Sequence, residues 1–193
     1  IGVQIAKKMK QAGATVVVSG RNTAKMDAEF GDDFIKIPCD LSSDGGAVEL
    51  IMEQVHRKKG KLITSGMGKA GQIAMNIATT FSSTGTPSVF LHPSEAQHGD
   101  LGVIQPNDVM LLISNSGKPR EIVELVSLAR GLHPDLKFIV ITGNKESQLA
   151  KDTDICLFTG NPKEVCLLGL TPTTSTTAMT VIGDILVVST MKA

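Results

Sequence analysis

The chain has 193 residues, and its 19 lysine and arginine residues balance its 19 aspartate and glutamate residues. A net charge of zero provides no bulk field that would attract nucleic acid or an anionic membrane. The absence of Trp and Tyr also removes the usual platforms for base stacking, so we expect neither nucleic acid nor a membrane as a partner.

Apolar, strand-like runs alternate with amphipathic helical patterns along the chain. Strands are predicted, in order, at residues 14–20, 34–40, 61–66, 87–92, 108–115, 136–143 and 154–158. Helices are predicted at residues 2–12, 47–57, 70–82, 119–131 and 175–191. This alternation indicates a parallel sheet with helices on both faces, and the fully apolar runs MLLI and FIVI are typical of its central strands. We predict an α/β three-layer sandwich with a five-stranded, mostly parallel sheet, preceded by a short βαβ-like appendage.

Three predicted strands end in hydroxyl or glycine residues directly before a helix. They are LITSGMGKAG with Ser65 and Gly66, LLISNSGKPRE with Ser114, Asn115 and Ser116, and IVITGNKES. Ligands of such sheets bind beyond the carboxyl ends of the strands, and small residues at a helix start suit an anion. A single Ser or Thr there is usually only a helix cap, but three such ends favour a phosphate pocket. GMGKAG has neither the dinucleotide nor the P-loop spacing, which disfavours a nucleotide.

Four signatures resemble the sugar isomerase (SIS) domain of the arabinose-5-phosphate isomerase family. They are TSGMGKAGQIA, STGTPSVFLHPSEAQHGDLG, ISNSGKPREI and PKEVCLLGLTPTTSTTAMTVIGD, in the family's order and spacing from about residue 47 to residue 193. The resemblance implies an isomerase that interconverts D-ribulose 5-phosphate and D-arabinose 5-phosphate and so supplies the Kdo sugar of lipopolysaccharide or capsule. It further implies a sugar phosphate as partner, no cofactor, no metal, and a homo-oligomer, either a dimer or a tetramer.

The resemblance carries four catalytic residues over to this chain, namely Lys69, His98, Glu121 and Glu164. It also assigns substrate binding to the hydroxyl run Thr173, Thr174, Ser175, Thr176 and Thr177. Isomerisation through an enediol needs a carboxylate that takes a proton, and a cation or imidazole that stabilises the oxyanion. Taken singly, Glu121 could be a partner of the helix dipole and Glu164 a solvated loop charge. We expect Glu164 to be the base, because a position in the first turn of a helix lowers the pKa of a carboxylate such as Glu121.

The chain departs from the family pattern at two places. Pro119 stands where the family usually has Ser or Thr, so Ser114, Ser116 and the backbone must replace one phosphate hydroxyl. The family domain continues into an H-P-G-G-x-L-G-like segment with another catalytic His, whereas this chain ends at Ala193, and it carries no paired CBS modules. We therefore leave open whether this chain is active by itself.

The N-terminal residues resemble a different family, the short-chain dehydrogenases. IGVQIAKKMKQAGATVVVSGRNTAKM and FIKIPCDLSS match its first helix and its second and third strands, with Arg21, Asn22 and Asp40 near the expected adenosine site. The glycine-rich loop is missing apart from its last two residues, and a catalytic Tyr is absent from the sequence. We interpret residues 1–46 as a partial, non-functional Rossmann-like segment grafted onto a SIS domain at residues 47–193.

Two other functions stay open at this point. A non-catalytic, sugar-phosphate-binding SIS module is favoured by the absent His segment, whereas the retained Lys69, Glu121 and Glu164 favour an enzyme. The weaker alternative is an NADP-dependent oxidoreductase carried by the N-terminal segment.

The remaining features of the sequence indicate a cytoplasmic protein. Neither a signal peptide nor an apolar run of transmembrane length is predicted. Cys39, Cys156 and Cys166 are odd in number and widely spaced, so they suggest neither a disulfide framework nor a metal site. The first residue is isoleucine, from which we expect a truncated start.

Overall fold

The computed structural model describes residues 2–13, 16–20, 23–32, 34–38 and 46–192. These residues form one two-stranded sheet near the N-terminus and one five-stranded sheet in the rest of the chain.

The N-terminal unit is built on two parallel strands. Its elements are α1 (Gly2–Gln11), β1 (Val17–Gly20), α2 (Thr23–Glu29) and β2 (Ile35–Pro38). Its buried apolar side chains form a cluster of their own, made of Ala6, Val16, Val18, Met26 and Phe30. The predicted βαβ pattern is therefore present, although the predicted site residues Arg21, Asn22 and Asp40, and also Cys39, lie outside the described residues.

All five strands of the main sheet run parallel, which confirms the predicted fold class. The strands are β3 (Leu62–Gly66), β4 (Ser88–Phe90), β5 (Val109–Ile113), β6 (Lys137–Thr142) and β7 (Ile155–Phe158). Their spatial order is β4-β3-β5-β6-β7. The strand order therefore reverses between β3 and β5, because β4 is added on one side of β3 and the later strands on the other. Ligands of such sheets bind at a switch of this kind, beyond the carboxyl ends of the two central strands.

Helices cover both faces of the main sheet. They are α3 (Gly46–Ile51, continued by a π-helical turn at Met52–Arg57), α4 (Lys69–Ser83), α5 (Pro93–Ala96), α6 (Arg120–Leu132), α7 (Gln148–Asp152) and α8 (Thr174–Lys192). A short 3-10 turn follows α5 at Asp100–Val103.

The core is divided between the two faces by the alternation of side chains along each strand. In β5, Val109, Leu111 and Ile113 pack with α3, α4 and α8, whereas Met110 and Leu112 pack with α5, α6 and α7. Strands buried on both faces need apolar residues at every position, which explains the uninterrupted run in β5.

The last helix, α8, is the one described helix that is long and apolar enough to cross a membrane. Its Thr174–Met191 window has a mean hydropathy of 1.2, and half of that window is buried inside the protein. The expectation that no apolar run reaches transmembrane length is therefore wrong for α8. The physical reason is that α8 packs on the sheet through Met179, Ile182 and Leu186, and a core helix of this length must be apolar.

A partly buried ion pair joins the residues that precede β3 and β5, at the opposite, amino edge of the sheet. The Asp108 carboxylate is 1% exposed and lies 2.6 Å from Lys61 Nζ. It also accepts hydrogen bonds from the backbone N–H groups of Lys61 and Gln105, at 2.8 and 2.7 Å. The two central strands are thus fixed in register at one end while their other ends remain available for a ligand.

Candidate active site

The loop between β5 and α6 holds a buried hydroxyl with an unused hydrogen. Ser114 is 3% exposed, and its Oγ accepts a hydrogen bond from Gly117 N–H at 3.1 Å. Among the described residues, no acceptor faces the hydrogen of this hydroxyl. A buried donor without an acceptor costs free energy, so Ser114 is suited to donate to a ligand. Ser116 is exposed two residues further on, and its Oγ accepts from Lys118 N–H at 3.3 Å.

Gly117 is required by the shape of this loop. Its φ of +66° lies in the left-handed region, and a Cβ atom at this position would collide with the Ser147 hydroxyl at the start of α7. The loop is also fastened to the end of β6, because Asn144 Nδ2 donates to Ser116 O at 3.2 Å and Gly143 N–H donates to Asn115 O at 3.0 Å. Asn115 is therefore positioned as a link between strand ends, with its side chain exposed.

The helices that begin near the carboxyl edge of the main sheet differ in whether a side chain caps their first turn. The helices α4 and α6 have no side-chain cap, since their N-cap residues are Gly68 and Pro119. The start of α7 is capped by Ser147 Oγ, which accepts from Ala150 N–H at 3.2 Å. The two uncapped helices follow the adjacent strands β3 and β5. Their free N–H groups therefore lie on either side of the position at which the strand order reverses.

Glu164 caps the start of α8. Its Oε2 accepts from the N–H and hydroxyl of Thr173 at 2.7 and 2.9 Å, from Thr174 N–H at 2.7 Å and from Ser175 N–H at 3.4 Å. Burial alone would raise the pKa of Glu164, but the hydrogen bonds from Ser175 and Thr173 outweigh it and lower the pKa to about 2. The expectation that Glu164 is a loop carboxylate ready to act as a base is therefore not supported by its surroundings.

The hydroxyl run at the start of α8 is mostly used within the protein. Thr173 donates to Glu164, while Thr176 and Thr177 donate to Thr173 O at 2.7 and 3.0 Å. Thr174 is the exception, because its hydroxyl is buried without a hydrogen-bond partner. A second anion at this helix start would meet the Glu164 carboxylate, so the run is a poor phosphate site in this arrangement.

Lys69 connects the start of α4 to the start of α8. Its exposed side chain donates from Nζ to Pro172 O at 3.2 Å. The contact spans 103 positions of the sequence and brings the lysine beside the Glu164 cap. Lys69 and Glu164 therefore bind adjacent residues of one segment, Pro172 and Thr173.

Ser65 and Gly66 have structural roles at the end of β3. The Ser65 hydroxyl is fully buried and donates to Leu91 O at 2.6 Å, so it joins β3 to the segment after β4. A Cβ atom at Gly66 would lie 2.8 Å from Ala70 O, so glycine permits the close approach of β3 to α4. The predicted role of Ser65 as a phosphate donor is not supported, because its hydrogen already has an acceptor.

Glu121 and His98 complete the predicted set. Glu121 lies half-buried in the first turn of α6, directly after the Ser114 loop. Within the described part of the chain, its carboxylate forms no hydrogen bond or ion pair, so its oxygens are available to a ligand. His98 is exposed after α5, beyond the carboxyl end of the edge strand β4. Among the described residues, the His98 side chain forms no hydrogen bond or ion pair with the other predicted site residues.

Two features of the site escape the sequence analysis. Ser147 supports the Ser114 loop, and the signal that could have identified it is a serine directly before a helix start, which is typical of an N-cap. Asn144, which supports the same loop, belongs to the predicted strand end IVITGNKES. Cys166 accepts a hydrogen bond from Thr171 N–H at 3.4 Å, and backbone N–H groups lower the pKa of its thiol to about 7. No sequence signal predicts that turn. No group of three or more potential metal ligands is present in the described ranges.

Comparison with known proteins gives a consistent family. The SIS domain family matches residues 56–189 of this chain. An arabinose 5-phosphate isomerase KdsD from Shigella flexneri is 51% identical over 144 residues, which is 75% of this chain and 43% of that protein. A KdsD from Yersinia pestis is 42% identical over 185 residues, covering 95% of this chain and 52% of its own length. This chain therefore spans about half the length of the curated relatives that it matches.

Two solved structures are similar in both sequence and fold. One is a Bacteroides fragilis protein described as a phosphosugar isomerase involved in capsule formation, with 75% identity, a TM-score of 0.78 and coverage of 81% of both chains. The other, from Escherichia coli CFT073 in complex with arabinose 5-phosphate, has 35% identity and a TM-score of 0.73, and covers 80% of this chain and 79% of its own.

Proposed function

We propose that this chain, which belongs to the SIS domain family, is an aldose–ketose isomerase that interconverts D-arabinose 5-phosphate and D-ribulose 5-phosphate. The observation that carries the proposal is the buried Ser114 hydroxyl, whose unused hydrogen lies in the loop before the uncapped helix α6. This loop belongs to the family signature ISNSGKPREI. The substrate is supported by the KdsD relatives and by the arabinose 5-phosphate complex of the related Escherichia coli structure.

The phosphate is proposed to bind at the β5–α6 loop rather than at the start of α8. Ser114 and Ser116 offer hydroxyl hydrogens there, and the first N–H groups of α6 have no side-chain acceptor. At the start of α8, by contrast, Glu164 already takes the N–H groups that an anion would need. Two anions at one helix end would repel each other, so we assign the hydroxyl run to binding of the sugar hydroxyls rather than of the phosphate. The Thr174 hydroxyl has no hydrogen-bond partner within the described residues and is available to a sugar hydroxyl.

The base is proposed to be Glu121, which reverses the expectation from the sequence. A general base works best when its pKa lies near the operating pH, and the pKa of about 2 makes Glu164 a poor proton acceptor. Glu121 lies next to the phosphate loop, with carboxylate oxygens that the described residues leave free. Glu164 is then a positioning residue that holds the start of α8 beside Lys69.

These assignments support the following reaction. Glu121 takes the C2 proton of the open-chain aldose, and the C–H electrons form the C1–C2 double bond of an enediol. The Lys69 ammonium stabilises the negative charge that develops on the carbonyl oxygen. A proton then moves from the C2 hydroxyl to the C1 oxygen. As the O–H electrons of that hydroxyl form the C2 carbonyl, the electrons of the C1–C2 double bond take the returning proton at C1 and give the ketose, so no atom or electron is exchanged with a co-reactant. We retain His98 as a proposed further catalytic residue. Its side chain is exposed, so this role requires that the bound sugar, or a residue of a second chain, contacts it.

We also propose that the chain forms a homo-oligomer in the cytoplasm and that its product supplies Kdo synthesis. Leu167, Leu168 and Leu170 are exposed on the loop between Glu164 and α8, and a second copy would cover such an apolar surface. Cys156 and Cys166 form no disulfide bond within the described residues, which fits a reducing compartment.

The experiment that tests the function is direct. The purified chain is incubated with D-ribulose 5-phosphate, and the appearance of D-arabinose 5-phosphate is measured by chromatography, with unphosphorylated D-ribulose as the control. We expect product from the phosphate only. A chain that binds both sugar phosphates without forming product would contradict the proposed isomerase activity and favour a binding module instead.

A further inference from the structure

The cations around the β5–α6 loop differ in what they already contact. Lys69 donates to Pro172 O, Arg120 is paired with Glu124, and Lys145 lies over the Phe158 ring, 5.8 Å from its centroid. Lys118 is exposed in the loop itself, and the described residues offer its ammonium no ion pair or hydrogen bond. Its backbone is fixed, since its N–H donates to Ser116 Oγ at 3.3 Å.

A phosphate at this loop needs a positive charge that the other groups do not provide. A phosphomonoester carries about −1.5 to −2 charges at pH 7, whereas the hydroxyls of Ser114 and Ser116 are neutral. Pro119 has neither a hydroxyl nor a backbone N–H to offer. The first two turns of α6 add the carboxylates of Glu121 and Glu124, and Arg120 offsets only one of these.

We propose that Lys118 is a specificity-determining residue that binds the phosphate of the substrate and makes the site select doubly charged phosphomonoesters. This inference rests on the proposed function, because the phosphate site is the one assigned there. Lys118 directly follows Gly117, which has a left-handed backbone conformation, and it lies two residues before the first residue of α6. A flexible four-carbon stem with an ammonium at its end can reach an anion bound between Ser116 and the helix start.

The test compares Lys118→Gln and Lys118→Arg with the unaltered chain and with Lys8→Gln. Lys8 is exposed on α1, outside the SIS domain, so its substitution removes the same charge from a distant place. Dissociation constants for D-arabinose 5-phosphate and for inorganic phosphate are measured by calorimetry at low and high salt, and above and below the second phosphate pKa of about 6.

Lys118→Gln is expected to weaken binding of D-arabinose 5-phosphate by about five- to tenfold at low salt, with a smaller loss at high salt. The loss should shrink below about pH 6, where the phosphate becomes a monoanion, which a merely structural role of Lys118 would not produce. Lys118→Arg and Lys8→Gln should bind like the unaltered chain.

Equal affinity of Lys118→Gln and the unaltered chain for D-arabinose 5-phosphate would overturn the role of Lys118 while leaving the proposed function standing. An equal loss in Lys8→Gln would also overturn it, because the effect would then be one of net charge. If the unaltered chain binds inorganic phosphate through Lys118 but not the sugar phosphate, the proposed function fails and the anion site remains. If it binds neither, both are overturned.

Discussion

Ser114 and Ser65 are two buried serines at the ends of adjacent strands, yet their hydroxyls differ in what they can donate to. The Ser65 hydrogen is directed to Leu91 O, whereas the Ser114 hydrogen has no acceptor among the described residues. Both lie at a strand end that a loop connects to a helix, so the pattern of residue types predicts the same role for both. The difference depends on a carbonyl 26 positions away, which no local pattern shows.

Replacing Ser114 by alanine should weaken binding of D-arabinose 5-phosphate by about 10- to 100-fold, the range for a hydrogen bond to a charged group. Ser65→Ala is the matched control, and it should lower the thermal stability while leaving the affinity nearly unchanged. Isothermal calorimetry measures the affinities, and a thermal melt measures the stability. A loss of affinity in Ser65→Ala with none in Ser114→Ala would place the phosphate elsewhere.

Glu164 gives a prediction about acid stability. Its pKa is lowered from 4.5 to about 2 in the folded protein, so the cap stabilises the fold fully above pH 4.5 and this contribution is lost as the pH falls towards 2. At neutral pH, Glu164→Gln should lower the free energy of unfolding by about 1–2 kcal/mol. The gap between this variant and the unaltered chain should close as the pH falls from 4.5 to about 2 in urea titrations.

Glu146→Gln is the control for that experiment, because Glu146 is exposed and its ion pair with Lys151 has a 3.6 Å separation. It should change the unfolding free energy by less than about 0.5 kcal/mol at any pH. A constant gap for Glu164→Gln across the acid range would mean that the carboxylate charge does not stabilise α8.

At the residue scale, the sequence therefore predicts which residue types gather at the site better than it predicts their roles. Lys69 and Glu164, which come from two separate signatures, contact the adjacent residues Pro172 and Thr173. The capping contact of Glu164, on which the proposed exchange of roles with Glu121 rests, could not be predicted, because it depends on a loop that folds back over nine positions onto the start of α8. Such a loop has no periodic sequence pattern, so its conformation cannot be predicted from the sequence.

At the scale of the elements, the long helices and the five main strands follow from the sequence. The apolar run of β5 and the amphipathic pattern of α6 are strong signals because each is continuous over its whole length. The helices α2, α5 and α7 have seven, four and five residues, which is too short for a helical period to repeat. The change to a π-helical turn at Met52 has no sequence signal either.

The packing of α4 against α8 provides a test at this scale. A Cβ atom at Gly183 would lie 2.6 Å from Ile77 Cγ1, and Ile77 is fully buried, so its side chain has little room to move. Gly183→Ala should therefore destabilise the protein by about 1–3 kcal/mol. Gly131, on the exposed side of α6, has open space around it, so Gly131→Ala should stabilise by about 0.5–1 kcal/mol.

The two substitutions are the same chemical change in two helices, and chemical denaturation measures both. Opposite signs would support close packing of α4 on α8. If Gly183→Ala were as stable as Gly131→Ala, the two helices would have to lie further apart than described.

At the scale of the whole molecule, the described residues form three apolar clusters, two on the faces of the main sheet and a smaller one in the N-terminal unit. The main core includes Ala47 and Ile51 of α3, while the cluster around Phe30 belongs to the N-terminal unit. We retain the proposal that the boundary lies near residue 46. The SIS domain match, which begins at residue 56, and the placement of α3 in the main core support it.

Deleting residues 1–45 should leave a folded protein with a single cooperative thermal transition and unchanged affinity for D-arabinose 5-phosphate.

The unaltered chain should show no saturable binding of NADP or NAD in fluorescence titrations, because the N-terminal segment lacks the glycine loop that approaches a pyrophosphate. A micromolar dissociation constant for either nucleotide, or loss of cooperative unfolding on deletion, would show that the segment belongs to a functional unit.

The exchange of the C2 hydrogen of D-arabinose 5-phosphate with deuterated solvent tests the central claim most directly. It reports proton transfer itself, even where the overall conversion is limited by ring opening or product release. Proton NMR should show the C2 signal disappearing with the unaltered chain. Glu121→Gln should slow this by about two to four orders of magnitude, and Glu164→Gln should slow it less. A chain that binds the sugar phosphate yet leaves the C2 signal intact would contradict the assignment as an isomerase.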